Sequence, residues 1–160
     1  MCIRDRGYTE PDPREDLAGM DVARKLVILA REIAYPAVLE KVRVQNLIPP
    51  QLREMASYEA FINQKKALDD HYAKKKNALS KNEVLRYIGE LDIELGILKV
   101  ELLQVERSSA LGQIKNADAI FEIYTESYGD QPVIIRGAGA GATVTARGVY
   151  SDLLRIGRKV

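Results

Sequence analysis

Residues 83–106 read EVLRYIGELDIELGILKVELLQVE. In the second half, Leu98, Val100 and Leu102 alternate with Lys99 and Glu101, the period-two pattern of a strand with one face on a core. Glu83 to Ile93 reads as a partner strand, with Glu94-Leu95-Gly96 as the turn between them. Two long strands joined by so short a turn must pair antiparallel, because a parallel return needs a crossover of about a dozen residues or more.

The flanking segments build outward from this hairpin. Upstream, Asp21 to Ala34 reads as a helix. Val22, Leu26, Leu29 and Ile33 form an apolar stripe at helical spacing, widened by Ala23, Val27 and Ala30. Asp21 sits in the first turn, where a carboxylate complements the helix dipole, and Pro36 bars continuation. Val42 and Val44 alternate with Lys41 and Arg43, a short strand ending at Pro49-Pro50. Ser57 to about Leu79 reads as a second helix with Ser57 as N-cap and a lysine-rich outer face ending in Lys74-Lys75-Lys76. Downstream, Phe121, Ile123 and Thr125 suggest a strand, and Pro132 to Arg136 another. The latter leads into Gly137-Ala138-Gly139-Ala140-Gly141, and Thr143 to about Ile156 reads as a final helix. The order predicts an α+β fold, a mostly antiparallel mixed sheet with helices packed on one face.

Composition excludes several function classes. The 160 residues carry 24 Lys plus Arg against 23 Asp plus Glu, a net charge of +1, which argues against nucleic-acid binding driven by overall charge. The longest apolar run, Leu26 to Ala30, is far too short to cross a bilayer. The opening residues are mostly polar or charged, unlike a signal peptide, so a cytoplasmic protein with no membrane partner is expected. One Cys excludes an internal disulfide framework, and one His excludes a multi-histidine zinc site, so no metal is expected. Met1 to Arg6 has no cap or periodicity and resembles a translated sequencing adapter; residues 1–6 read as a non-native leader.

Two groups of residues could carry chemistry. Gly137, Gly139 and Ala142 fit the G-x-G-x-x-A dinucleotide fingerprint, with a strand before and a helix after. That fold needs a second strand with an acidic residue about 20 residues beyond the glycines, and the sequence ends at Val160. Two readings of the loop stay open: a tight strand-to-helix turn, or a place where backbone closely approaches a ligand. The second group is the acidic stretch GYTEPDPREDLAG, Gly7 to Gly19, which reads as a loop, followed by Asp21 and Lys25 at i and i+4. By spacing alone the pair is a surface ion pair. Glu10, Asp12, Glu15 and Asp16 crowd the approach, however, and a lysine on the flank of a buried helix needs a reason. Converging carboxylates could bind a substrate ammonium, and a partly desolvated lysine could pass a proton to a carbonyl oxygen. Neighbouring acids would raise the lysine's pKa and burial would lower it. His71, among Asp69, Asp70 and lysines, reads as solvated. Tyr8 reads as a packed aromatic or a ligand contact.

The stretch GYTEPDPREDLAGMDVARK, Gly7 to Lys25, resembles the signature of homoserine dehydrogenases, G-Y-T-E-P-D-P-R-D-D-L-x-G-x-D-V-A-R-K. Only Glu15 departs from it, replacing a usual aspartate. PVIIRGAGAGATVTARGVYSDLL, Pro132 to Leu154, resembles the family's closing strand, glycine loop and helix, and VLRYIG, Val84 to Gly89, also fits. The resemblance implies an oxidoreductase that interconverts L-homoserine and L-aspartate 4-semialdehyde with NADP or NAD, feeding threonine, methionine and isoleucine synthesis. It places the proton-transferring lysine at Lys25, with Asp21 beside it as a catalytic and substrate-binding acid. Glu10 would hold the substrate ammonium, Asp16 and Asp21 the polar groups near the reacting carbon, and Tyr8 and Thr9 would line the substrate. Gly137, Ala138, Gly139, Ala140 and Gly141 would approach the nicotinamide end of the cofactor. Residues 7–136 would then form the substrate-binding, catalytic domain. Residues 137–160 would return to a nucleotide-binding domain that lies upstream in the family. The intact enzyme would be a homodimer, and a further upstream kinase domain would make it a bifunctional aspartokinase–homoserine dehydrogenase. Alternatives are a non-catalytic regulatory or binding domain on the same scaffold, and a purely structural module.

Overall fold

The computed structural model describes residues 11–158. Two compact units divide between Gly112 and Gln113. Among the described residues, the strand leading into the glycine loop pairs with the strand just before it, and both belong to the second unit.

The first unit opens with α1 (Pro13–Leu17) and α2 (Met20–Glu32). A single turn of 3-10 helix (Leu39–Lys41) and β1 (Arg43–Val44) follow, then α3 (Pro50–Arg53), α4 (Tyr58–Asn63) and α5 (Lys65–Asn77). It closes with the hairpin β2 (Glu83–Asp92) and β3 (Ile97–Glu106). The hairpin forms as the alternation predicts, with Asp92 opposite Ile97 and Glu83 opposite Glu106. On its other edge β3 pairs in parallel with β1, Arg43 opposite Lys99 and Val44 opposite Val100. The predicted Val42–Val44 strand is therefore shorter than expected. Lys41 closes the 3-10 turn, and beyond Val44 the Asn46 side chain accepts from the Ile48 amide at 2.7 Å, turning the chain well before the prolines.

Helix α2 lies across the face of the hairpin that carries Leu98 and Val100. Its buried residues are Ala23, Leu26, Val27 and Ala30, and with Ala37, Val42, Leu98 and Val100 they form the main core. Part of the predicted stripe is not buried: Leu29 is 41% and Ile33 56% exposed. Gly89 explains how close the helix comes. A Cβ there would lie 2.9 Å from Val22 Cγ1 and 3.1 Å from Leu26 Cδ1, so this edge of α2 occupies the space of the absent side chain. The helix ends as expected before Pro36, through Ala34 at φ 59° and a bond from the Tyr35 amide to the Ala30 carbonyl.

The segment expected as one helix over Ser57–Leu79 is two, bent at Gln64 (φ −98°, ψ 12°). Ser57 is the N-cap, accepting from the Ala60 amide at 3.2 Å. Phe61 is buried against Ile48 and Leu52, while the Tyr72 hydroxyl donates to the Leu47 carbonyl. On a straight helix these two residues would stand roughly 16 Å apart along the axis; the bend lets both anchor on one short segment.

The second unit holds the antiparallel pair β4 (Asp118–Ile123) and β5 (Val133–Ala138), followed by α6 (Ala142–Gly157). The fold is α+β as expected, although the strands form two separate sheets rather than one. No residue of α6 is buried; Val144, Val149, Leu153, Leu154 and Ile156 are 46–64% exposed. No helix among the described residues is long and apolar enough to cross a membrane.

Candidate active site

The predicted acidic loop is partly helical. Asp12 caps α1, accepting from the Arg14 amide at 3.0 Å, with Pro13 in the first turn. The signal was present in the sequence: Asp, then Pro, then Glu15 and Asp16 is a helix start. The Arg14 guanidinium grips the same carboxylate, Nε at 3.0 and 2.9 Å from its two oxygens and NH2 at 2.6 Å from Oδ2. Its NH1 donates to the Met55 carbonyl at 2.9 Å, and its face covers the Phe61 ring. Hydrogen bonds from Arg14 hold the Asp12 carboxyl below the usual carboxylate range. Asp12 is thus spent on structure, which removes it from the acids that the sequence crowded around a substrate.

This clamp sets where Asp16 stands. Asp16 is exposed, and its carbonyl accepts from the Gly19 amide at 3.3 Å as the chain turns from α1 into α2. Gly19 takes φ +77°, a conformation open to glycine at little cost. It is buried, and its carbonyl accepts from the Ala23 amide to start α2. Asp21 and Lys25 follow on the outer face of that helix, Oδ2 and Nζ 2.7 Å apart, with side chains 64% and 60% exposed. The burial expected for Lys25 is absent within this chain: the core face of α2 is the one carrying Ala23, Leu26 and Val27, and Lys25 points away from it. Tyr8, Thr9 and Glu10 lie outside the described residues. The structure therefore brings Asp21 and Lys25 together and sets Asp16 across the Gly19 turn.

The glycine loop belongs to the second unit. Gly137 and Ala138 are the last residues of β5, facing Ala119 and Asp118 of β4. The chain's own packing accounts for two of its glycines. A Cβ on Gly139 would meet that of Ala119 at 2.8 Å, and Gly141 takes φ 133° to enter α6. That is the tight-turn reading. At Gly137, nothing lies within 4 Å of the place a Cβ would take, so its backbone is open to approach. The first turn of α6 has no side-chain cap, leaving amide donors for a dipolar or anionic group. His71 packs edge-on against Tyr72 and is exposed, as expected for a solvated residue.

The family model described as homoserine dehydrogenase matches residues 3–154. A homoserine dehydrogenase of Paracoccidioides brasiliensis is 46% identical over 158 residues, covering 96% of this chain and 42% of its own length. A chloroplastic bifunctional aspartokinase/homoserine dehydrogenase of Zea mays is 44% identical over 151 residues, covering 94% of this chain and 16% of its own. The chain thus spans well under half the length of these relatives. Among solved structures, a Candida auris protein of unknown function superposes with a TM-score of 0.86 at 38% identity, over 99% of this chain and 44% of that one. A putative homoserine dehydrogenase of Archaeoglobus fulgidus gives 0.65 at 30% identity, over 96% and 40%.

Proposed function

Since the chain belongs to the homoserine dehydrogenase family, we propose that its full-length protein interconverts L-homoserine and L-aspartate 4-semialdehyde with NADP or NAD, within amino-acid biosynthesis. The observation that carries this reading is the Asp21–Lys25 pair, 2.7 Å apart on the open face of α2 and inside the run Gly7 to Lys25. An exposed i, i+4 ion pair contributes only ~0.3–0.5 kcal/mol to stability. That is what any surface ion pair gives, so the weight of this pair lies in its place within the run Gly7 to Lys25 that matches the family.

When bound, the nicotinamide supplies or accepts hydride at the carbonyl carbon of the substrate. The chain's own residues do the rest. In the reductive direction Lys25 Nζ donates a proton to the carbonyl oxygen, and in the oxidative direction it takes the hydroxyl proton back. Asp21 holds that ammonium at hydrogen-bond distance and fixes its direction. Asp16, with Asp21, holds the polar groups near the reacting carbon. Glu10 binds the substrate ammonium, beside Tyr8 and Thr9. The open backbone at Gly137 and the uncapped first turn of α6, with Ala138 to Gly141 forming the loop, would hold the nicotinamide cofactor, which supplies the hydride chemistry.

The test is NADPH or NADH formation from homoserine by the full-length gene product and its Lys25→Ala variant. A general acid–base group is worth about 10²–10⁴-fold in rate. Turnover is expected to fall by at least about a hundredfold, with the melting temperature unchanged because the pair is exposed. A variant within threefold of the parent would refute the role of Lys25. A parent without homoserine-dependent turnover would refute the reading itself.

A further inference from the structure

We propose that Tyr87 is a positioning residue for this reaction, its phenol forming the stop against which the start of α2 is seated. The inference rests on the function proposed above and adds a residue to it.

Tyr87 lies on β2 and faces α2. Its hydroxyl donates to the Gln45 carbonyl at 2.7 Å. Gln45 is itself held twice to β3: its amide donates to the Val100 carbonyl at 2.7 Å, and its side-chain oxygen accepts from the Leu102 amide at 2.8 Å. The phenol is therefore fixed to the sheet at both ends, by its own strand and through Gln45. Against it rests Gly19. A Cβ on Gly19 would fall 1.9 Å from the Tyr87 oxygen and 3.0 Å from Val44 Cγ1, so the Gly19 backbone fills a slot between the two side chains. Gly19 is the N-cap of α2. Two residues later stands Asp21, and one turn on Lys25.

The core of α2 grips the helix along its length at Gly89, several residues past its start. Ala23 and Ala30 present small groups and Leu26 a flexible one to the sheet, with Val27 the stiff residue among them. A rigid ring tied by a hydrogen bond at the helix start sets the position of that start more sharply. Reacting groups must be held at about 3–3.5 Å, and a misplacement near 1 Å can cost about a hundredfold. Removing the hydroxyl leaves a gap of less than one heavy atom's diameter at Gly19 and frees the Gln45 carbonyl. A shift of a few tenths of an ångström then predicts a loss of about tenfold in turnover.

The experiment uses the full-length enzyme with Tyr87→Phe. The expected result is kcat lowered about tenfold with KM for homoserine and for the cofactor within twofold. The solvent deuterium isotope effect on kcat should rise, because proton transfer at Lys25 has become slower. That effect is a ratio and is insensitive to how much enzyme is folded, so a merely structural role would not move it. A second variant, Gly19→Ala, presses on the same contact from the other side, and Tyr87→Phe should partly relieve its loss of kcat. Unchanged kcat and isotope effect in Tyr87→Phe, or strict additivity in the double variant, would overturn the proposal. If Lys25→Ala abolishes turnover in the same enzyme while Tyr87→Phe does nothing, the positioning inference fails and the function stands.

Discussion

Gly89→Ala should weaken the fold even though alanine suits a strand better than glycine. The new Cβ would lie 2.9 Å from Val22 Cγ1 and 3.1 and 3.2 Å from Leu26 Cδ1 and Cγ. Carbon atoms prefer about 3.5–4.0 Å, so contact must open by roughly 0.5–1 Å. Leu26 can rotate away in part. Val22 cannot, because a β-branched side chain on a helix has one strongly preferred rotamer, so α2 itself must lift. Overpacking of this kind costs about 1–3 kcal/mol, while replacing glycine in a strand returns about 0.5–1 kcal/mol. The net expectation is a loss of about 1–2 kcal/mol. At this length about 2–4 °C accompanies each kcal/mol, so the melting temperature should fall by roughly 2–8 °C. The assay is thermal and urea unfolding of the parent, Gly89→Ala, Val22→Ala and the double variant. Val22→Ala removes the obstructing methyls and should cost less in the Gly89→Ala background than alone. A Gly89→Ala variant as stable as the parent, or strict additivity with Val22→Ala, would refute the idea that α2 rests on that glycine.

Asp12→Asn should destabilise the protein in a pH-dependent way. Hydrogen bonds from Arg14 lower the folded-state pKa of Asp12, so its contribution is present above the unfolded value and is lost as pH falls through the lower folded one, below about pH 4. Melting curves of parent and variant should separate near neutrality and converge in that acid window; a gap constant from pH 6 to 2 would count against it. The 160 residues alone should not oxidise homoserine at a useful rate, since their sequence holds no complete dinucleotide-binding unit. NADPH formation near that of the full-length protein would disprove this. The bare apolar surface of α6, with Val149 57%, Leu153 61% and Ile156 64% exposed, should make the isolated chain self-associate. Leu153→Glu should shift it towards monomer in analytical ultracentrifugation, and a parent that is already monomeric at high concentration would contradict this.

What the sequence determined on its own is what depends on neighbours along the chain. The alternation of Leu98, Val100 and Leu102 required a strand, and the short turn required the antiparallel partner, although the turn spans residues 93–96 rather than 94–96. Helical spacing marked α2, and Ser57 capped the helix it was expected to cap. The run Gly7 to Lys25 carried the family, because so long a string of specified residues is legible without any contacts. Tertiary structure decided what depends on distant residues meeting. Spacing allowed either edge of the α2 stripe to be buried; Gly89 on β2 drew in Val22 and Leu26, and Leu29 and Ile33 stayed exposed. The bend at Gln64 exists because Phe61 and Tyr72 both reach the segment near Leu47. Asp12 looked like one acid among several until Arg14, held by Met55 and Phe61, closed on it. Lys25 is exposed because the only face of α2 that the sheet can cover is the opposite one. Tyr87 stood inside the matching stretch VLRYIG, but its contact with Gly19, 68 positions earlier in the chain, carried no local signal. Local pattern encodes which elements form. Which side chains they bring into contact is set only when those elements pack, because packing matches shapes between residues that the chain itself keeps far apart.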